Sequence, residues 1–439
     1  MPSSSRGCPG TPVLDGARLE VRRTGPLSGR VVVPGAKNSV LKLMAAGLLT
    51  DGTCRVTNVP DIVDVSIMAD LLTAIGLRVD RPSPNEVVIT NSGDITPVAP
   101  ADLTDRIRAS VNVLGPLLSR YGRVVLPLPG GDDFGARPID MHIAGLEAMG
   151  AEFSIGGDAL EARAPRLHGA DVSFAFPSVG ATENVVMAAV LADGTTTIDG
   201  AAREPEIVDL CEFLIGLGAR IDGVGTSHLV IHGVERDALG SVTHRVVPDR
   251  IQAATYIAAV AVAGGRLEMV DARARDMERV LDRVGAMGLG WTPFHDEDGS
   301  SGLVVEGTDH LRSVDVQTLP YPGIATDYKP LMTTMLAVAD GVAIVTENLY
   351  PGRFRYIDEL RRLGADIRTE GHHAVVHGVR RLAGTRVTAH DIRAGAAMVV
   401  AGLAAEGTTV IDGVHHIDRG YDDLVGRLTA VGADIVRVD

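Results

Sequence analysis

Six times along this chain a helix-like apolar stretch ends in a glycine, a strand-like run follows, and a second helix ends in another glycine. The first glycines are Gly52, Gly122, Gly194, Gly265, Gly341 and Gly407, spaced 70, 72, 71, 76 and 66 residues apart. The second glycines are Gly76, Gly150, Gly218, Gly288, Gly364 and Gly432, each 23 to 28 residues after its partner. A period this regular means that one supersecondary unit is used six times. Chemistry is then to be sought at the same place in each unit.

That place is the start of the helix before each first glycine. The starts read Gly35-Ala36-Lys37-Asn38, Arg106-Ile107-Arg108, Ser178-Val179-Gly180, Asp249-Arg250, Thr326-Asp327-Tyr328-Lys329 and Asp391-Ile392-Arg393. Each leads into about three turns rich in Ala, Val, Leu, Met and Gly. A helix apolar on nearly all sides is buried, so its polar N-terminus sits at the rim of a core, beside unpaired N–H groups and the positive end of the helix dipole. Such ends suit phosphate and carboxylate. Ordinary capping explains any one start; Arg or Lys recurring across most of the six points to an anionic ligand.

The formal net charge of −15 argues against nucleic acid as the main partner. Lysine occurs only as Lys37, Lys42 and Lys329, which makes the two at helix starts stand out in an otherwise Arg-based chain. Cys8, Cys54 and Cys211 are odd in number and widely spaced, neither a disulfide framework nor a zinc spacing. This predicts a cytoplasmic setting. The N-terminal segment has no secretory apolar core, and no apolar stretch is long enough to span a bilayer, so no membrane partner is expected. His372-His373 and His415-His416 come without the Cys or carboxylate pattern of a metal site, and adjacent side chains rarely point the same way.

Alternating helices and strands indicate an α/β architecture. The six units divide into two sets of three. The expected organisation is an inserted domain over 37–247 and a discontinuous domain made of 1–36 and 248–439, with ligands in the cleft between them. The segment Ala17 to Val33 reads as two strands that precede the first unit, and the second set is their expected host.

Several stretches together carry a family resemblance. They are Gly35-Ala36-Lys37-Asn38, Leu128-Pro129-Gly130-Gly131-Asp132, Gly135-Ala136-Arg137-Pro138, Pro177 to Thr182, Ala202 to Glu206, Pro248-Asp249-Arg250 and His416 to Tyr421. In this order they resemble the UDP-N-acetylglucosamine 1-carboxyvinyltransferase family, over about Leu19 to Val438. The resemblance implies two inside-out α/β barrels, each of three repeats around buried helices, and the transfer of enolpyruvate from phosphoenolpyruvate to a sugar hydroxyl. It implies that Lys37, Arg137 and Arg419 hold the donor phosphate, and that Arg353 and Arg393 hold its carboxylate. Arg137, Pro138, Ile139, Asp140 and Met141 resemble the uracil-holding segment, with Ser178, Val179 and Gly180 near the nucleotide phosphates. Asn38, Arg108, Thr326, Asp327 and Leu349 resemble residues around the acceptor, Asp327 taking the proton of the attacking hydroxyl. Lys37, Arg419, Asp132 and Asp327 form the implied catalytic set: the Lys and Arg cluster stabilises charge around the leaving phosphate, Asp132 donates a proton or acts in product release, and neither cofactor nor metal is needed. Asp249 and Arg250 leave two roles open, action in the cleft or helix capping, with the structural role preferred.

The chain departs from that family at several points. Asp132 stands where most members carry Cys, and the adjacent Asp133 would raise its pKa and help it stay protonated. The pair alternatively only shapes an exposed loop. A carboxylate there implies resistance to fosfomycin, an epoxide opened by the family's thiolate. Asp133-Phe134, Ala325 to Lys329 and Leu349 to Arg353 also differ, and all cluster where the acceptor is expected. The departures leave two acceptors open: UDP-N-acetylglucosamine, for peptidoglycan synthesis, or UMP, as in related enzymes of nucleoside-antibiotic pathways. A catalytically silent nucleotide-binding protein on the same fold is the alternative from another class. A 5-enolpyruvylshikimate-3-phosphate synthase is disfavoured by Arg137 to Asp140, and an RNA-end-processing enzyme by the net charge.

Overall fold

The computed structural model describes residues 16–130 and 138–438. All six units build one topology. The strand at or just after each first glycine lies inside a small sheet: Thr53–Thr57, Arg123–Pro127, Thr195–Asp199, Gly265–Val270, Val342–Thr346 and Thr408–Asp412. On one side each pairs antiparallel, in that order with Glu86–Asn91, Ala159–Arg163, His228–His232, Ser301–Glu306, His373–His377 and Arg18–Arg22. On the other side a parallel neighbour closes the unit. It is Val242–Arg245 in the first unit, Asp171–Ser173 in the third, Leu27–Val32 in the fourth, Val316–Gln317 in the fifth and Arg386–Thr388 in the sixth. In the second unit a single parallel bridge, Val98 to Val125, takes that place. The six sheets remain separate and do not merge into one closed β-barrel among the described residues.

The opening segment pairs where expected. Arg18–Arg22 lies between Thr408–Asp412 and Ile435–Val438, and Leu27–Val32 joins Gly265–Val270. Strand residues alternate in burial, as with Val124 and Leu126 facing in and Arg123 facing out. The inward faces pack on six buried helices: Lys37–Ala46, Leu114–Tyr121, Val179–Ala189, Arg250–Ala263, Lys329–Ala337 and Ile392–Ala404. In the Lys37–Ala46 helix every residue from Ser39 onward is buried. Helices are thus inside and sheets outside.

Two of these helices are shorter than the sequence pattern suggested, because Arg108–Val113 and Thr326–Tyr328 are wound as 3-10 turns. Proline explains both. Pro116 and Pro330 have no N–H to donate to an α-helical carbonyl four residues back, so regular α structure begins where each falls in the first turn. The second glycines all have φ between 94° and 122°, a left-handed stop that a Cβ would strain.

Two apolar clusters form. One combines Leu19 to Val33 with Ile251 to Ile435, and the other runs from Ala36 to Val247. In the first, the helices Arg250–Ala263, Lys329–Ala337 and Ile392–Ala404 pack mutually. The two chain crossings between clusters pair with each other, Ala36 N donating to Val247 O at 2.7 Å and Asp249 N to Pro34 O at 2.8 Å. Beside them Arg250 reaches Glu206 of the other half with Nε to Oε1 at 2.9 Å and Nη2 to Oε2 at 3.2 Å, both residues buried. Asp249 caps its helix by accepting from Ile251 N and Gln252 N. Both residues of the Asp249-Arg250 pair are therefore structural here. Removing one partner of a buried ion pair costs about 3–5 kcal/mol, because the other charge is stranded. Arg250→Leu is expected to lose stability on that scale in urea unfolding. A loss of about 0–1 kcal/mol, the scale of an exposed pair, would show that this contact does not hold the halves together.

Candidate active site

The capped start of Ile392–Ala404 fixes the root of one cation. Asp391 Oδ1 accepts from Arg393 N at 2.8 Å and from Ala394 N at 2.9 Å. The Arg393 side chain then donates from Nε to Asp327 Oδ2 at 3.1 Å. Arg353, on the loop after Val342–Thr346, donates from Nη1 to Asp327 Oδ1 at 2.7 Å and to Thr326 Oγ1 at 3.2 Å. Both guanidinium side chains are only 4% exposed, whereas Asp327 keeps 23%, so the carboxylate is the reachable end of the cluster. Burial works against the charge on Asp327, but the two guanidiniums outweigh it and hold the carboxyl well below the usual carboxylate range. The Tyr421 ring lies against Arg393, 5.4 Å from the guanidinium carbon to the ring centroid, and its hydroxyl meets Thr255 at 2.9 Å.

Two residues before Tyr421 a second cluster begins. Arg419 Nε donates to Asp64 Oδ1 at 2.9 Å, and Lys37 Nζ lies 3.0 Å from Asp64 Oδ2. Asp64 is fully buried in the first turn of Val63–Ile75. Lys37 and Asp64 belong to one half and Arg419 to the other, so this carboxylate ties the halves together. Nothing in the sequence singled it out, since an acidic residue in a first helical turn is unremarkable.

Others of the expected residues lie on elements packed against Val179–Ala189, namely Arg108–Val113 and Asp140–Ala148. Ser178 caps that helix by accepting from Ala181 N at 3.3 Å. Gly180 faces His142, and a Cβ at Gly180 would come within 2.8 Å of the imidazole. Burial drives the His142 pKa down to about 4, helped by nearby Arg108, so the ring is neutral at pH 7. The neutral His142 Nδ1 meets Asn184 Nδ2 at 3.1 Å. Arg108 Nη1 donates to Pro129 O at 3.4 Å. Asn38, Pro138 and Asp140 are exposed, and Ile139, Met141, Val179 and Leu349 half-buried. Asp132, Asp133 and Arg137 lie outside the described residues. Val179–Ala189 is joined to Lys37–Ala46 by the buried ion pair of Lys42 and Glu183.

Not every cation at a helix start faces a ligand. Arg250 is taken up by Glu206. Lys329, fully buried, is taken up by Glu347 with Nζ to Oε2 at 2.8 Å. Of the other start cations, Lys37 meets Asp64, Arg393 meets Asp327 and Arg108 meets the Pro129 carbonyl. The paired histidines stack side by side, ring centroids 4.0 Å apart for His372 and His373 and 4.2 Å for His415 and His416, against the expectation that such neighbours diverge. Among the described residues no group of His, Cys, Asp and Glu is placed to hold a metal ion. No described helix is long and apolar enough to cross a membrane.

Two forks of paired cations, each closed on a protein carboxylate, suit a small ligand with two anionic ends. The family model for EPSP synthase (3-phosphoshikimate 1-carboxyvinyltransferase) matches residues 21–428. The UDP-N-acetylglucosamine 1-carboxyvinyltransferase of Nocardia farcinica is 49% identical over 417 residues, 94% of this chain and 96% of that protein. The enzyme of the same name from Corynebacterium efficiens is 47% identical over 426 residues, 97% of each. Among solved structures, the enolpyruvyl transferase NikO from Streptomyces tendae superposes with a TM-score of 0.85 at 25% identity, covering 96% of this chain and 99% of that one. EPSP synthase from Acinetobacter baumannii, at 18% identity and a TM-score of 0.74, shares the fold. A match across almost the whole chain in both sequence and fold leaves one assignment: this protein is a member of the enolpyruvyl (carboxyvinyl) transferase family.

Proposed function

We propose that the protein transfers the enolpyruvyl group of phosphoenolpyruvate to the 3-hydroxyl of UDP-N-acetylglucosamine and releases phosphate, a step in making peptidoglycan precursors. The observation that carries this reading is the pair of cation forks at Asp64 and Asp327, one for each charged end of the donor. Full-length relatives bearing that activity in their names support it. Residues 37–247 act as one domain and 1–36 with 248–439 as the other, and the substrates bind between them. The buried free thiols of Cys54 and Cys211 are consistent with a cytoplasmic setting.

Lys37 and Arg419, with Arg137, take the donor phosphate. Arg353 and Arg393 take its carboxylate. That carboxylate competes with Asp327 for the same two guanidiniums, so donor binding loosens their grip and lets the Asp327 pKa rise. Asp327 becomes a competent base only once the donor is in place. A proton then reaches C3 of the donor, with Asp132 as the acid. The acceptor hydroxyl attacks C2 as Asp327 removes its proton. The tetrahedral adduct next loses phosphate and a methyl proton, restoring the double bond, while the fixed cations stabilise the departing charge. The uridine end lies along Pro138 to Met141 and Ser178 to Gly180, with Asn38, Arg108, Thr326 and Leu349 toward the sugar.

Phosphate release from phosphoenolpyruvate, measured with UDP-N-acetylglucosamine, UMP and shikimate 3-phosphate side by side, tests the reading. The sugar nucleotide is expected to give the highest kcat/KM. Faster release with UMP would reassign the acceptor, and none with any acceptor would make the protein a binding module.

A further inference from the structure

Lys329 is the one lysine at a core-helix start whose side chain is turned wholly into the protein. Its Nζ meets Glu347 Oε2 at 2.8 Å and donates to the backbone carbonyl of Arg353. It lies 3.9 Å from the centre of the Phe354 ring and 5.7 Å from that of Tyr356. Glu347 is equally buried and fully used. Its Oε1 accepts from Thr318 Oγ1 at 2.7 Å, Leu349 N at 2.8 Å and Tyr350 N at 3.0 Å, and its Oε2 accepts from Thr326 Oγ1 at 2.7 Å. Thr326 Oγ1 in turn accepts from Arg353 Nη1, the group that grips Asp327. One polar chain therefore runs Lys329, Glu347, Thr326, Arg353, Asp327.

We infer that Lys329 is a positioning residue for the transfer reaction: its ammonium holds Glu347 and the Arg353 carbonyl, and through them sets Arg353 and the Leu349–Tyr350 turn for the donor and acceptor. The inference rests on the function proposed above. The physical argument is that a lone buried carboxylate would draw in water or a proton and release its four donors. Lys329 is the cation that meets Glu347 directly. The other charged and ionisable groups around the ammonium are Arg353, Asp391 at the head of the next helix, and Tyr356. Burial pulls the Lys329 pKa down to about 8, with Glu347 pulling the other way. The ammonium is thus full at pH 7 and is lost as pH rises through about 8, while Glu347 stays ionised below its ordinary range. Donor binding should weaken across the same interval.

The test compares wild type with Lys329→Gln, which keeps a donor and volume but cannot ionise. Two readouts are taken from pH 6.5 to pH 9: KM for phosphoenolpyruvate, and hydrogen exchange of the Leu349 and Tyr350 amides. For the wild type, KM is expected to rise about tenfold per pH unit above the Lys329 pKa, the slope for one essential proton, with kcat changing less. Both amides should lose protection over the same range. In Lys329→Gln, KM at pH 7 is expected to be at least tenfold higher and flat across the range, with both amides already unprotected. A variant that keeps the wild-type KM, its pH dependence and both protected amides overturns the inference. If Lys329→Gln does not fold, Glu347→Gln removes the other end of the contact and is read in the same way. Exchange is measured without substrates. A protein inactive toward every acceptor would defeat the proposed function while the amides still reported on Lys329.

Discussion

Asp327→Asn is expected to reduce turnover by on the order of 10²–10⁴, the usual scale for losing a general acid or base, while phosphoenolpyruvate still binds. The structure makes the second half of that expectation sharp. Arg353 and Arg393 are buried and directed at Asp327, so removing its charge leaves two guanidiniums without their anion. The variant should bind the donor at least as tightly as the wild type, because the donor carboxylate no longer competes with a protein carboxylate. A fall in kcat with unchanged or lower KM is the diagnostic pattern. Near-normal turnover would remove Asp327 from the mechanism. A large rise in KM with kcat intact would make it a binding residue only. The same contact has a stability consequence. A carboxyl held below its unfolded value contributes stability that is present above the unfolded pKa and is lost as pH falls through the folded one. The unliganded wild type should therefore exceed the variant in stability throughout the neutral range.

The second large effect belongs to Asp132. Fosfomycin is expected to leave the protein active after prolonged exposure, and Asp132→Cys is expected to become susceptible to time-dependent, complete inactivation while retaining transfer activity. In the variant a thiolate attacks an epoxide carbon: the C–S bond forms, the C–O bond breaks, and the alkoxide takes up a proton. The adduct adds one inhibitor mass. The native thiols that the structure describes should not substitute for it. Cys54 and Cys211 are buried, and burial drives both thiols up to about 12, far from the thiolate form at neutral pH. Rapid covalent inactivation of the unmodified protein would mean that another nucleophile reaches the site and that Asp132 does not stand where the family's Cys stands.

Much of the molecule is legible in the sequence. Glycine spacing alone located six units. Each proved to be a buried helix, an interior strand and a second helix stopped by a left-handed glycine. Legibility has a simple source here. Burial of a whole helix demands a nearly continuous apolar run, a helix stop demands glycine, and both demands are local in sequence. The pairing of Ala17 to Val33 with the second set was also readable, as two strands with no unit of their own need edges to join. The 3-10 starts of the second and fifth units do not follow from apolar periodicity; their local signal is Pro116 and Pro330.

The roles of individual charges were not legible in the same way. Lys37, Arg250, Lys329 and Arg393 all occupy helix starts and look alike along the chain. Tertiary structure separates them: Arg250 faces Glu206 and Lys329 faces Glu347, both sealed inside, whereas Lys37 and Arg393 meet carboxylates at the proposed site. Their partners come from 44, 18, 27 and 66 residues away, on elements that no local pattern connects to them. Asp64 shows the same limit, since it meets both Lys37 and an Arg419 that lies 355 residues further on. Sequence by itself determined the repeat, the helix-inside layout and the places where cations cluster, because those follow from short-range burial and backbone geometry. Only the tertiary structure decided which cations are sealed against a partner in the interior and which meet a carboxylate at the proposed site, because that depends on which carboxylate the fold brings within about 3 Å, the reach of a charged hydrogen bond.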